Sequence, residues 1–95
     1  MNQYEALYII TPELDEEAKA AEVAKFKDIV TANGGEIAEV NEWGMRKLAY
    51  AIDYKTEGYY VLMTFAAPSE LPRELERNMK NDEKILRFLV TRKEA

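Results

Sequence analysis

Residues 41–65, NEWGMRKLAYAIDYKTEGYYVLMTF, constrain this chain more than any other stretch. Two runs rich in Val, Leu, Ile, Tyr, Phe and Trp flank a charged pentad, Asp53 to Glu57, with Gly58 directly after it. Those residue types suit a half-buried pleated surface, so the stretch predicts a long β-hairpin. Its first arm runs from Glu36 to Ile52 and its second from Tyr59 to Ala66. Gly44 falls inside the first arm, where glycine marks a bulge or a close backbone approach.

The flanking segments complete a pattern. Gln3 to Ile10 is a continuous run of β-branched and aromatic residues, as in a central strand covered on both faces, and Thr11 with Pro12 ends it. Residues 15–33 predict a helix: Asp15 sits at the N-cap, Glu16 and Glu17 fill the first turn, and Gly34 and Gly35 supply a left-handed stop. Val23, Phe26, Ile29 and Val30 recur at three- and four-residue steps and form its apolar stripe. A second helix is expected after Pro68, with Ser69 as N-cap, Pro72 in the first turn, Leu71, Leu75 and Met79 in register, and Asn81 with Asp82 ending it. Ile85 to Arg92 reads as a last strand and residues 93–95 as a short tail.

The order is β-α-β-β-α-β, an α+β arrangement with a four-stranded antiparallel sheet and both helices on one face. At 95 residues this is one domain, residues 1–95 with a core over 3–92, able to bury roughly 60 to 65% of its unfolded surface. Alternation sorts the strand residues into two faces. Tyr4, Ala6, Tyr8, Ile10, Val61, Met63, Phe65, Phe88 and Val90 form one set. Glu5, Leu7, Ile9, Tyr60, Leu62, Thr64, Arg87 and Leu89 form the other, which the charges of Glu5 and Arg87 turn away from the helices. The second face is therefore open, with an apolar centre at Leu7, Ile9, Tyr60, Leu62 and Leu89, and such a patch usually has a partner.

Several function classes drop out on composition. With no Cys and no His, thiolate chemistry, disulfides and the usual zinc sites are excluded. No segment has the charge pattern of a signal peptide or approaches eighteen consecutive apolar residues, which predicts a cytoplasmic protein with no membrane partner. A net charge of -5 argues against gripping a polyanion with the whole surface. The charge is uneven, however: residues 1–42 hold three basic against ten acidic side chains, whereas residues 43–95 hold ten basic against eight acidic.

Candidate chemistry is correspondingly sparse. The turn Thr11-Pro12-Glu13-Leu14-Asp15 would repel a phosphate, and the clusters Asp15-Glu16-Glu17 and Asp82-Glu83 read as helix-start and turn residues, so no enzyme, cofactor or small-molecule substrate is expected. Arg46 and Lys47 could clamp phosphates, but adjacent strand residues point to opposite faces, so one of them at most meets a given ligand. Trp43 and the tyrosines could stack on unpaired bases, although a single Trp among strands reads first as core. The run Gly58-Tyr59-Tyr60-Val61 departs from an RNA-recognition motif, with Glu57 where that motif has a basic residue.

Trp43-Gly44-Met45-Arg46-Lys47-Leu48-Ala49-Tyr50, followed by Glu57-Gly58-Tyr59-Tyr60, with Tyr4-Glu5-Ala6, Pro12 and Leu14 before them, resembles the bacterial small-subunit ribosomal protein six family. The resemblance extends to about Arg92. It implies a ferredoxin-like fold and a structural role in the ribosome, binding the central domain of small-subunit ribosomal RNA together with ribosomal protein eighteen. The match lands on Arg46, with Lys47 beside it, as RNA-binding residues; Lys55, Arg87 and Arg92 join them on charge and placement. The competing reading is a homo-oligomeric ligand-sensing or adaptor domain, in which the open apolar face pairs with itself.

Overall fold

A computed structural model describes residues 1–52 and 54–93. Its elements are β1 (Asn2–Ile10), α1 (Glu16–Ala32), β2 (Glu36–Ile52), β3 (Lys55–Ala67), α2 (Leu71–Lys80) and β4 (Ile85–Lys93). The strands form one antiparallel sheet in the order β2-β3-β1-β4, so the first strand is central and β2 and β4 are edges.

The core lies where alternation put it. Tyr4, Ala6, Tyr8 and Ile10 from β1 and Val61, Met63 and Phe65 from β3 are buried against Val23, Phe26 and Val30 of α1 and Leu71, Leu75 and Met79 of α2. Both helices therefore cover one face. The Phe26 ring meets Tyr8 edge-on with centroids 5.2 Å apart, an orientation that adds about 0.5–1.5 kcal/mol to the area it buries. Asp15 caps α1 by accepting a hydrogen bond from the Ala18 amide at 2.8 Å, and Gly34 at φ 86 stops it.

Three boundaries differ from expectation. Ser69 is not the N-cap of α2. A turn closed by the Leu71 amide donating to the Pro68 carbonyl at 3.1 Å leads into the helix through Glu70, which makes no side-chain cap, and Pro72 removes one of the amides a cap would satisfy. The charged pentad is mostly strand: β3 begins at Lys55, ahead of the expected Tyr59, because cross-strand pairing with β2 extends out to Ile52 and Lys55. Lys93 belongs to β4, pairing with Gln3, where a tail was expected; Asp53, Glu94 and Ala95 lie outside the described residues.

The hairpin ladder is irregular in a way that decides which side chains reach the open face. Register shifts fall between Ile37 and Glu39, between Glu42 and Gly44, and between Lys47 and Ile52, and Gly44 sits at φ 87, where an L side chain is strained. Each extra residue flips the parity of the strand beyond it. Past Gly44, Arg46 pairs with Gly58 on the open face. Gly58 is itself buried, and a Cβ there would collide with Ile9 of β1 and meet Leu48 at 3.5 Å. The arm thus bends over the sheet, and Ile9, assigned to the open face, is only 7% exposed beneath it.

Candidate nucleic-acid interface

The strand registers arrange the open face in four rows running from β2 to β4. The first is Gly44, Tyr60, Ile9 and Arg87; the second Asn41, Leu62, Leu7 and Leu89; the third Glu39, Thr64, Glu5 and Thr91; the fourth Glu36, Ala66, Gln3 and Lys93. Arg46 lies beyond the first row on the hairpin arm. The face is polarised along the strands: two arginines at the hairpin end, aliphatic side chains in the middle, and Glu5, Glu36 and Glu39 at the far end, where Lys93 approaches Glu5 at 3.9 Å.

The hairpin end is also aromatic. Trp43 lies parallel to Tyr60, with ring centroids 6.1 Å apart and planes 8° from coplanar. The Arg46 guanidinium carbon stands 5.2 Å from the Trp43 ring centre, within cation–π range. Trp43 is 37% exposed and outside the core, which corrects its reading as a core residue; it lies two residues beyond Asn41, which the register shift between Ile37 and Glu39 places on the open face. On the other side of the face, Arg87 donates a hydrogen bond to the Tyr50 hydroxyl, its guanidinium carbon 5.5 Å from that ring's centre. Leu7, Ile9, Leu48, Tyr50, Tyr60 and Arg87 line a groove under the arm.

Arg46 and Arg87 are thus brought to one end of one face, and the other candidate cations are not. Lys47 pairs with Glu57 on the helix side of the sheet. Lys55 holds Glu13 in a 2.6 Å ion pair, fastening the hairpin to the β1–α1 loop. Arg92 pairs with Tyr4 on the core side and donates to Asn2 at 3.0 Å, far along the strand from Arg87. Of the apolar candidates, Leu89 is 60% exposed and Leu7, Tyr60 and Leu62 are half-buried. Sequence reasoning placed Tyr50 in the family match and weighed Trp43 as a stacking residue, but it did not foresee that Tyr50 would reach Arg87 or that Trp43 would lie on Tyr60; both contacts depend on the register shifts of β2.

A second polar cluster lies on the helix side. Glu22 is 4% exposed on α1, with a carboxyl oxygen lacking any hydrogen-bond partner, and it faces Asp82, which accepts from Lys25 Nζ at 2.9 Å. Burial, then the hydrogen bond and charge of Asp82, push the Glu22 carboxyl up, against the opposing pull of Lys25 and Lys84. Burial would raise Asp82 as well, yet hydrogen bonds from Glu22, the Lys84 amide and Lys25 hold it below its ordinary value. Glu42 accepts a 2.7 Å bond from Tyr59 and, with burial, pushes that phenol up to about 12, which keeps Tyr59 a donor. Among the described residues, no group of three or more acidic, His or Cys side chains is placed to hold a metal ion.

The family model described as ribosomal protein S6 matches residues 3–92. The small ribosomal subunit protein bS6 of Thermoanaerobacter pseudethanolicus is 49% identical over 92 residues, covering 97% of both chains, and that of Clostridium novyi is 49% identical over 94 residues, covering 99% of both. The crystal structure of the 30S ribosomal protein S6 from Thermotoga maritima superposes with a TM-score of 0.92 at 32% identity, covering 97% of this chain and 87% of the other.

Proposed function

The chain belongs to the ribosomal protein S6 family and its role is structural, within the small ribosomal subunit; from that premise we propose that it binds the central domain of small-subunit ribosomal RNA together with ribosomal protein eighteen. The observation that carries this reading is the polarised open face. Arg46 and Arg87 offer forked donors suited to phosphate oxygens, and the rings beside them offer flat surfaces to bases. Lys47, Lys55 and Arg92 point elsewhere and would contribute long-range attraction at most.

The middle and far rows suit a protein. Leu7, Leu62 and Leu89 form an apolar strip, and Glu5, Glu36 and Glu39 beside it favour a basic partner. A chain of net charge -5 is repelled by RNA over most of its surface, so it binds weakly alone. A basic protein seated on the acidic rows removes that repulsion and extends the positive surface. The two should then bind RNA cooperatively, with a coupling free energy of about 1–3 kcal/mol that RNA returns to the protein pair by linkage.

The test is a titration of a central-domain RNA fragment with this protein, with the basic partner, and with both, at fixed ionic strength. Tighter binding by the pair than by either alone supports the reading. Equal affinity of this protein alone and of the pair would replace cooperative assembly with self-sufficient RNA binding, and a stable homodimer that binds neither would favour the adaptor reading.

A further inference from the structure

Trp43 is the only tryptophan in the chain, and it stands on the open face, 37% exposed, stacked with the parallel ring of Tyr60 and with the Arg46 guanidinium carbon 5.2 Å from its ring centre. We propose that this stack is a nucleobase platform: an unpaired base of single-stranded RNA seats against Trp43 and Arg46, while Tyr60 supports the indole from beneath. The inference rests on the RNA-binding reading above and adds to it a residue and a mode of contact.

Three features favour a base over other occupants. The Trp43 and Tyr60 rings are within 8° of parallel, so the pair presents a flat aromatic surface of the kind on which a base stacks. Arg46 stands over the Trp43 ring and makes no hydrogen bond or ion pair with a described residue, leaving its forked N–H groups for a base edge and the phosphate attached to it. The first row and the arm beyond it carry Arg46 and Arg87 and no carboxylate among the described open-face residues, whereas Glu5, Glu36 and Glu39 stand two and three rows away. A polyanion is thus tolerated at this end of the face and repelled at the other.

The platform also explains an exposed indole beside a bulge. Alternation from Asn41 sets Trp43 outward, and the register shift then places Gly44, which has no side chain, on the same face beside it, leaving the space next to the indole open.

Because Trp43 is the sole tryptophan, its emission reads the site directly. The full chain is titrated at low ionic strength with hexaadenylate and, separately, with an abasic backbone of the same length. Saturable quenching by hexaadenylate, absent with the abasic chain, is the expected result. Competition binding should then show Trp43→Leu weakened by about tenfold or more, since base–aromatic stacking is strong and independent of sequence. Trp43→Phe should fall between, and Arg46→Lys should weaken binding although the charge is kept. Circular dichroism checks that the variants are folded. Quenching by the abasic chain as strong as by hexaadenylate, or unchanged affinity in folded Trp43→Leu, would overturn the platform. So would an emission that responds to the basic protein partner and to no RNA, which would assign Trp43 to the protein interface. Failure of the central-domain fragment to bind even with the partner present would instead overturn the function on which the platform rests.

Discussion

Tyr50, near the end of β2, accepts a hydrogen bond from Arg87 of β4, although β3 and β1 lie between those two strands in the sheet. The contact exists because the arm beyond Gly44 curls across the open face, and the close packing of Gly58 on Ile9 sets how tightly it curls. Two edges of the sheet are tied together over its exposed surface.

Removing that tie should loosen the arm and leave the core intact. Tyr50→Phe deletes the acceptor while keeping the ring under Arg87, and a single exposed hydrogen bond is worth about 0.5–1.5 kcal/mol. The expected outcome is a small loss of global stability with faster amide exchange over residues 48–52 and 55–58. Exchange unchanged there would show that the aliphatic contacts alone hold the arm.

Phe26 is fully buried between α1 and β1, so Phe26→Ala should destabilise the domain by about 3–5 kcal/mol, most of the margin of a fold this size. Urea denaturation measures it. A loss under about 1 kcal/mol would mean that the neighbours collapse into the space.

Arg46→Ala should leave stability nearly unchanged, since the side chain is exposed, and should weaken RNA binding of the partner-bound complex. Loss of one phosphate contact lowers the slope of log affinity against log salt by roughly one unit. Filter binding at several salt concentrations reads both, and an unchanged slope removes Arg46 from the interface.

The buried pair on the helix side makes stability depend on pH. Glu22 is raised from 4.5 to about 7 on folding, so the native state holds its proton more tightly than the unfolded chain does. That contribution is complete below about 4.5 and is lost as pH rises through about 7. Asp82, lowered from 3.8, contributes in the opposite sense, losing its share as pH falls below its ordinary value. Stability from this pair should therefore be greatest near the values between them and decline toward pH 8, by on the order of 1–3 kcal/mol. Lys25 and Lys84, facing the pair, limit the decline. Glu22→Gln, a permanent mimic of the protonated acid, should flatten the decline; a wild-type profile already flat from pH 5 to 8 would show that Glu22 ionises without penalty.

Much of this molecule is legible from residue order because its signals are local. Asp15 caps a helix through an amide three residues on, and Tyr4, Ala6, Tyr8 and Ile10 show their buried side by a period of two. Gly44 marks a bulge because a non-glycine residue at that φ is strained. The parts that escaped are those set by distant partners. Ile9 looks exposed by alternation and is covered by an arm some fifty positions along the chain. Lys55 reads as a free cation until Glu13 is seen beside it. Glu22 stands four residues before Phe26, squarely on the apolar stripe, so its burial was available from spacing; what spacing could not supply was Asp82, which makes that burial tolerable.

The central position of β1 has a consequence for synthesis. Its Gln3 pairs with Ala66 on one side and with Lys93 on the other, so the strand made first waits for both neighbours, the second of which is made last. While the chain is being extended, only the helices and the β2–β3 hairpin can form from nearby residues, and the apolar run from Tyr4 to Ile10 stays uncovered. Closing a sheet across such separations is slow, which prolongs the interval in which nascent copies could stick to one another. The excess of acidic side chains in residues 1–42 accompanies that uncovered strand from the start, and like charge keeps unfinished chains apart until β4 arrives.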